Sequence, residues 1–198
     1  MEERMNNIDD AYSFIFRGLL TEEALDQTGR LRRVGLAAHF DPEMASRLPI
    51  DSFDEELVVR AQKMAVVYVA IAAFENSVRE FVSKVLLEKF GADWWLQSVS
   101  EKIRTRAETR RTEEEKIRWH TPRGDEPINY TEFGDLSSIM SQNWILFEDY
   151  VQNQEWMKLV ISTVERSRNV IMHSGDLGLQ DVERIATSIK DWIRQVGA

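Results

Sequence analysis

Apolar side chains recur at three- and four-residue intervals along most of this chain, and nowhere does a sustained two-residue alternation appear, so the pattern predicts helices throughout. The strongest run holds Met64, Val67, Tyr68, Ile71, Phe74, Val78, Phe81, Val82 and Val85. It opens behind Ser52-Phe53-Asp54-Glu55, which has capping-box spacing, and extends to Phe90 before Gly91. A helix this apolar is expected at the centre of a bundle. Before it, helical spacing runs from about Asp9 to Phe40, with Thr21 as an N-cap, and Asp41-Pro42-Glu43 starts a short helix that ends before Leu48-Pro49.

After Gly91, Asp93 is expected to cap a helix through Trp94, Trp95, Leu96, Val99 and Ile103 that becomes densely charged toward Arg118. Trp119 to Pro127 is punctuated like a loop, and His120 within it reads as a surface or loop-anchoring residue. A short helix containing Ile139 and Met140 follows, and Asn143 is expected to cap another with Trp144, Phe147 and Val151. The helix beginning near Gln154 uses Trp156, Leu159, Val160, Val164 and Ile171, with Gly175 as its stop. A final one, from about Gln180 to Val196, uses Val182, Ile185, Ile189, Trp192 and Ile193. The fold class is therefore all-α, a helical bundle of four or five core helices over 51–198 with an N-terminal helical appendage over 1–50.

Composition narrows the chemistry. The 198 residues contain no cysteine, which excludes disulfides, thiolate zinc sites and a catalytic thiol and fits a cytoplasmic location. The polar N-terminus lacks the apolar core of a signal peptide, and no later run is expected to reach the length of a membrane span. A formal net charge of -9 argues against nucleic-acid binding by bulk electrostatics, so any such site must be local. The best local candidate lies between Lys102 and Arg123, where eight basic residues face four glutamates. Arg104, Arg106, Arg110 and Arg111 there are candidate phosphate contacts, although a solvated helix end accounts for the same charges. No phosphate loop, His-Glu-x-x-His, calcium loop or nucleophile elbow is present; no cofactor and no histidine-rich metal site are expected, while composition leaves a carboxylate site for magnesium open.

That leaves Arg168-Asn169-Val170-Ile171-Met172-His173. Alone the spacing is weak, since among chains with three histidines about one in four carries such a pair by chance. On an ideal helix, residues five apart lie about 140° and 7.5 Å from each other, so Arg168 and His173 do not converge on one atom. Either the helix ends at His173 and the ring turns back, or two copies of the motif share a site across a symmetric contact. Metal-free RNA cleavage calls for a base and an acid, and a dimer supplies two histidines. A flank arginine followed by a C-capping histidine is the plain alternative. Glu75 falls beside the apolar stripe of the long helix with Arg79 one turn on, either an ordinary surface pair or the rim of a site.

Arg168-Asn169 followed by His173 resembles the Arg-polar-x-x-x-His signature of the HEPN superfamily, small all-α domains many of which are metal-independent endoribonucleases. Ala73 to Arg79, Tyr130 to Leu136, and Asn143-Trp144 with Phe147 make the chain similar to the Swt-type subgroup over roughly Val58 to Val196. The resemblance implies catalytic roles for Arg168 and His173, support from Asn169, and weaker support from Glu75, Asn76 and Arg79. It further implies a homodimeric toxin or phage-defence ribonuclease acting on RNA without a cofactor, with a cognate antitoxin or sensor as a possible partner and no membrane. The position that carries tyrosine in adenylylated HEPN toxins is Gly175 here, so control by that modification is not expected. A non-catalytic dimerisation or partner-docking module, or a nucleotide-binding module, is the alternative.

Overall fold

The computed structural model describes residues 42–197, together with Gly18 and Thr21. Among the described residues every regular element is helical. In chain order these are α1 (Pro42–Arg47), α2 (Glu55–Phe90), α3 (Trp94–Ser98), α4 (Glu101–Glu115), α5 (Phe133–Gln142), α6 (Trp144–Val151), α7 (Gln154–Met172) and α8 (Leu179–Val196). Single 3-10 turns at Ile50–Ser52, Gly91–Asp93 and Pro127–Tyr130 join them. The helix expected from Asp9 to Phe40 lies otherwise outside the described residues. Gly18 and Thr21 are both helical, so Thr21 is not an N-cap.

Two compact units are present, Met1–Val59 and Arg60–Ala198, the division falling inside α2. In the first unit, Ala45 and Val58 are buried. The cap of α2 is Asp54 rather than Ser52: its Oδ1 accepts from the Glu56 N–H at 2.9 Å, while Ser52 closes the preceding 3-10 turn. An 18-residue stretch of the helical segment Glu55–Ser98 has a mean hydropathy of 1.7 and is only 22% buried. It is long and apolar enough by composition to cross a membrane, contrary to the expectation that no run would be, because its few charges are spaced within an otherwise unbroken helix.

The second unit is built on the buried stripe of α2, where Ile71, Phe74, Val78, Val82 and Val85 recur at three- and four-residue steps and bury one face. Aromatic rings lock the other helices to it. Phe74 meets Phe133 of α5 and Trp192 of α8 edge-on at 5.7 Å, Phe81 meets Phe147 of α6 at 5.5 Å, and Trp156 of α7 stacks on Trp192 at 5.8 Å. Each such pair adds about 0.5–1.5 kcal/mol beyond area burial. Tyr68, Leu159 and Ile193, expected in the core, are exposed. Each stands next to a buried neighbour, Val67, Val160 or Trp192, and so points about 100° away round the helix.

The single helix expected from Trp94 toward Arg118 is broken at Val99, whose backbone is extended (φ −103°, ψ 131°). The carbonyls freed by the break are satisfied from elsewhere: Arg104 Nε donates to Val99 O at 3.1 Å and Asn143 Nδ2 to Ser98 O at 2.9 Å. Asn143 therefore does not cap α6 with its side chain; its amide also donates to Ile139 O at 2.9 Å, closing α5. Asp93 likewise makes no side-chain cap.

Helix α7 starts under Asn153, whose Oδ1 accepts from Trp156 N at 2.9 Å. It ends in paired reverse bonds, Gly175 N to Val170 O and Ser174 N to Ile171 O, both 2.9 Å. The left-handed residue is Ser174 (φ 60°), one position before the Gly175 stop. Gly175 is required for a different reason, because a Cβ there would lie 2.7 Å from Val170 Cγ1 and 2.9 Å from Val170 O. Ser174→Gly is expected to raise stability by about 0.5–1 kcal/mol and Gly175→Ala to lower it by more, both read as shifts in the urea midpoint.

Candidate active site

The sequence-predicted residues of α2 and α7 meet. Glu75 is only 7% exposed, and its two oxygens are divided between two cations. Oε1 takes Arg79 Nη2 at 2.7 Å, one turn along the same helix, and Oε2 takes Arg168 Nε at 3.2 Å, across from α7. Arg79 is fixed further by Asn76 Oδ1 at 3.1 Å and by the Thr131 carbonyl at 3.3 Å. Its Nε is buried without a partner, so the arrangement holds Arg79 at a cost of about 1–3 kcal/mol. One carboxylate between two guanidiniums leaves the cluster a net positive charge.

How Arg168 is gripped matters more than that it is. The contact is made through Nε, and among the described residues no other ion pair or hydrogen bond holds the guanidinium. The side chain is 32% exposed, which lets a phosphate reach it. Five residues on, His173 is the C-cap of α7, its backbone N–H bonded to Asn169 O at 3.2 Å. Its ring is exposed and makes no hydrogen bond or ion pair among the described residues. Asn169 is exposed and likewise free. The chain behind the motif is anchored to α2: Asp176 Oδ2 takes Arg60 Nη2 at 2.6 Å, and Met64 Sδ accepts from Leu177 N at 3.3 Å.

A model of Swt1-like HEPN domains matches this chain over residues 70–197, which includes the whole of this cluster. The chain belongs to the Swt1-like HEPN family. No curated protein and no solved structure matches it. HEPN domains are often ribonucleases, so the family supports a nuclease-type role for this one.

Within this HEPN domain the four arginines expected to meet phosphate already have partners. Arg104 serves the broken helix, Arg106 Nη2 lies 2.5 Å from the buried Asp135 Oδ1, and Arg111 pairs with Glu115 at 3.1 Å. Arg110 donates to the Tyr130 carbonyl at 2.9 Å and to Glu132 Oε1 at 2.7 Å. Arg106 and Arg110 thereby fasten α4 to the start of α5, while Arg111 pairs within α4 and Arg104 meets a backbone carbonyl. Arg123 binds Glu114, and that hydrogen bond holds the Glu114 carboxyl below the usual glutamate range.

Two participants were not foreseen in the sequence. The Thr131 carbonyl reaches Arg79, and Glu165, one turn before Arg168, accepts from Gly134 N at 2.8 Å and so pins the first turn of α5 to α7. The helical spacing of Glu165 and Arg168 is visible in the sequence, but a backbone acceptor has no sequence signature. A Cβ on Gly134 would approach both Glu165 oxygens to 3.1 Å, which explains the small residue in Thr131-Glu132-Phe133-Gly134-Asp135.

Proposed function

We propose that this HEPN domain is a metal-independent endoribonuclease whose site is completed by a second copy of the chain, working as a toxin or phage-defence effector. The observation that carries the reading is the Glu75–Arg168 contact between α2 and α7, which holds a part-exposed guanidinium on the same helix that ends at an unpartnered, exposed His173. A histidine removes the proton from a ribose 2′-hydroxyl, whose oxygen attacks phosphorus. The bond to the 5′-oxygen breaks, and the histidine of the other copy protonates that oxygen. The products are a 2′,3′-cyclic phosphate and a 5′-hydroxyl. Arg168 binds the non-bridging oxygens as charge grows on them, which a planar guanidinium does well.

The need for two histidines supports a dimer, and so does the surface. Met172, next to His173, is 55% exposed, and Val66 and Val69 are exposed on the helix that carries Glu75. Exposed apolar side chains on these two helices are what a second copy would cover. A cognate antitoxin or sensor would then act by blocking or parting the copies.

The test is to incubate purified protein with RNA in EDTA and analyse the ends. Cleavage that persists in chelator and leaves cyclic phosphate is the expected result, together with a dimer in sedimentation. Magnesium dependence, 3′-hydroxyl ends or full activity of a strict monomer would each overturn the corresponding part of the proposal.

A further inference from the structure

We infer that the turn following α4 is a docking platform for single-stranded RNA, one base stacking on Trp119 while neighbouring phosphates meet Lys116 and Arg118. The inference rests on the ribonuclease reading for its biological sense, but its observations are separate from the Arg168 cluster. The chain is acidic overall, so a bound strand has to find local positive charge. Along α4 and the loop after it, Arg106, Arg110, Arg111 and Arg123 are each neutralised by a carboxylate. Lys116 and Arg118 are exposed and have no ion-pair partner among the described residues.

Between and beyond them the chain makes a tight turn, closed by His120 N donating to Ile117 O at 3.1 Å. Arg118 and Trp119 are the two central residues of that turn, the positions that project from a surface. Trp119 is 86% exposed, whereas the indoles of Trp94 and Trp192 are buried. His120, 5.8 Å away and edge-on, supports one side of the ring, and His120 Nδ1 lies 2.8 Å from Thr121 O, which fixes its own orientation. A groove of about 600 Å³ runs along α4, with Trp95, Thr109, Thr112 and Lys116 in its wall, so Lys116 joins turn and groove. Glu108 and Glu113 also line the groove, which favours the path of the strand over the turn, where Arg118 adjoins Trp119 and Lys116 lies three residues before it. A bare aromatic plane next to free cations is the chemistry that holds single strands without reading their sequence.

The experiment measures binding apart from cleavage. A labelled single-stranded oligonucleotide methylated at every 2′-oxygen cannot be cleaved by this route, and its anisotropy is followed on the full chain. Trp119→Ala is expected to weaken binding by about tenfold and Trp119→Phe by less than about threefold. Replacing Lys116 and Arg118 together by Ala should reduce the salt slope by about 0.7 per residue removed. Equal binding by Trp119→Ala, equal affinity for duplex RNA, or no binding by the parent protein would each overturn the platform. Binding that depends on Trp119 in a protein that cleaves no RNA would leave the platform standing and remove the ribonuclease reading. Cleavage with an unchanged KM in Trp119→Ala would do the reverse.

Discussion

His173→Ala is expected to slow RNA cleavage by about 10²- to 10⁴-fold while leaving the fold intact. The ring is exposed and bonds to nothing else among the described residues, so its removal should change unfolding free energy by no more than about 0.5 kcal/mol. Activity and stability are thereby separated at this position. Arg168→Ala should cost about 10²- to 10³-fold in kcat, since it removes a charge that matters most when phosphate oxygens gain charge. Arg168→Lys should rescue little of that loss: lysine lacks both the Nε that Glu75 grips and the planar fork that suits phosphate oxygens. Single-turnover cleavage alongside urea unfolding and circular dichroism would check all three variants. Full cleavage by pure His173→Ala protein would end the catalytic assignment.

The second large effect is structural before it is catalytic. Glu75→Ala should lower stability by about 2–4 kcal/mol, because Arg79, whose side chain is 13% exposed, is left as an unpaired and largely buried cation. The Arg168 end of the clamp is more open to water, so it contributes the smaller part. Glu75→Gln keeps the shape and two hydrogen-bonding groups and should lose roughly half as much. Both variants should also lower kcat, since an Arg168 no longer held from behind samples other rotamers, and misplacement by about 1 Å is worth up to about 10²-fold. Adding Arg79→Met to Glu75→Ala should recover stability, by removing the stranded charge, without recovering activity. Urea midpoints give the first comparison and kcat the second; a Glu75→Ala protein as stable as its parent would show that the clamp is not what holds α7 to α2.

These two experiments touch residues that were legible in the sequence to different degrees. Glu75 and Arg79 are four apart on a strongly apolar helix, so their pairing follows from helix geometry alone. That Arg168 joins them does not: it lies about ninety residues further on, and the spacing of its own helix only places it on a flank. The basic run from Lys102 to Arg123 was legible as charge but not as function. Asp135 and Glu132, which occupy Arg106 and Arg110, belong to a helix start that local periodicity cannot bring alongside α4. Once those pairs are formed, Lys102, Lys116 and Arg118 remain exposed without an ion-pair partner among the described residues, the last two beside an exposed Trp119.

By itself, the amino-acid order determined whatever depends on neighbours within one or two turns. It set the all-helical class, the long central helix, the loop after Trp119, and the place of Arg168 and His173 at the end of α7. Tertiary structure decided what depends on groups brought together from distant segments. It broke the helix at Val99 because Arg104 and Asn143 were there to satisfy the freed carbonyls. It put the left-handed turn at Ser174 because Gly175 had to lie against Val170. It also turned Arg168 from a helix-flank cation into an oriented one. Periodicity is a short-range property of the backbone, whereas the direction of a guanidinium is set by whichever carboxylate the packed helices deliver to it.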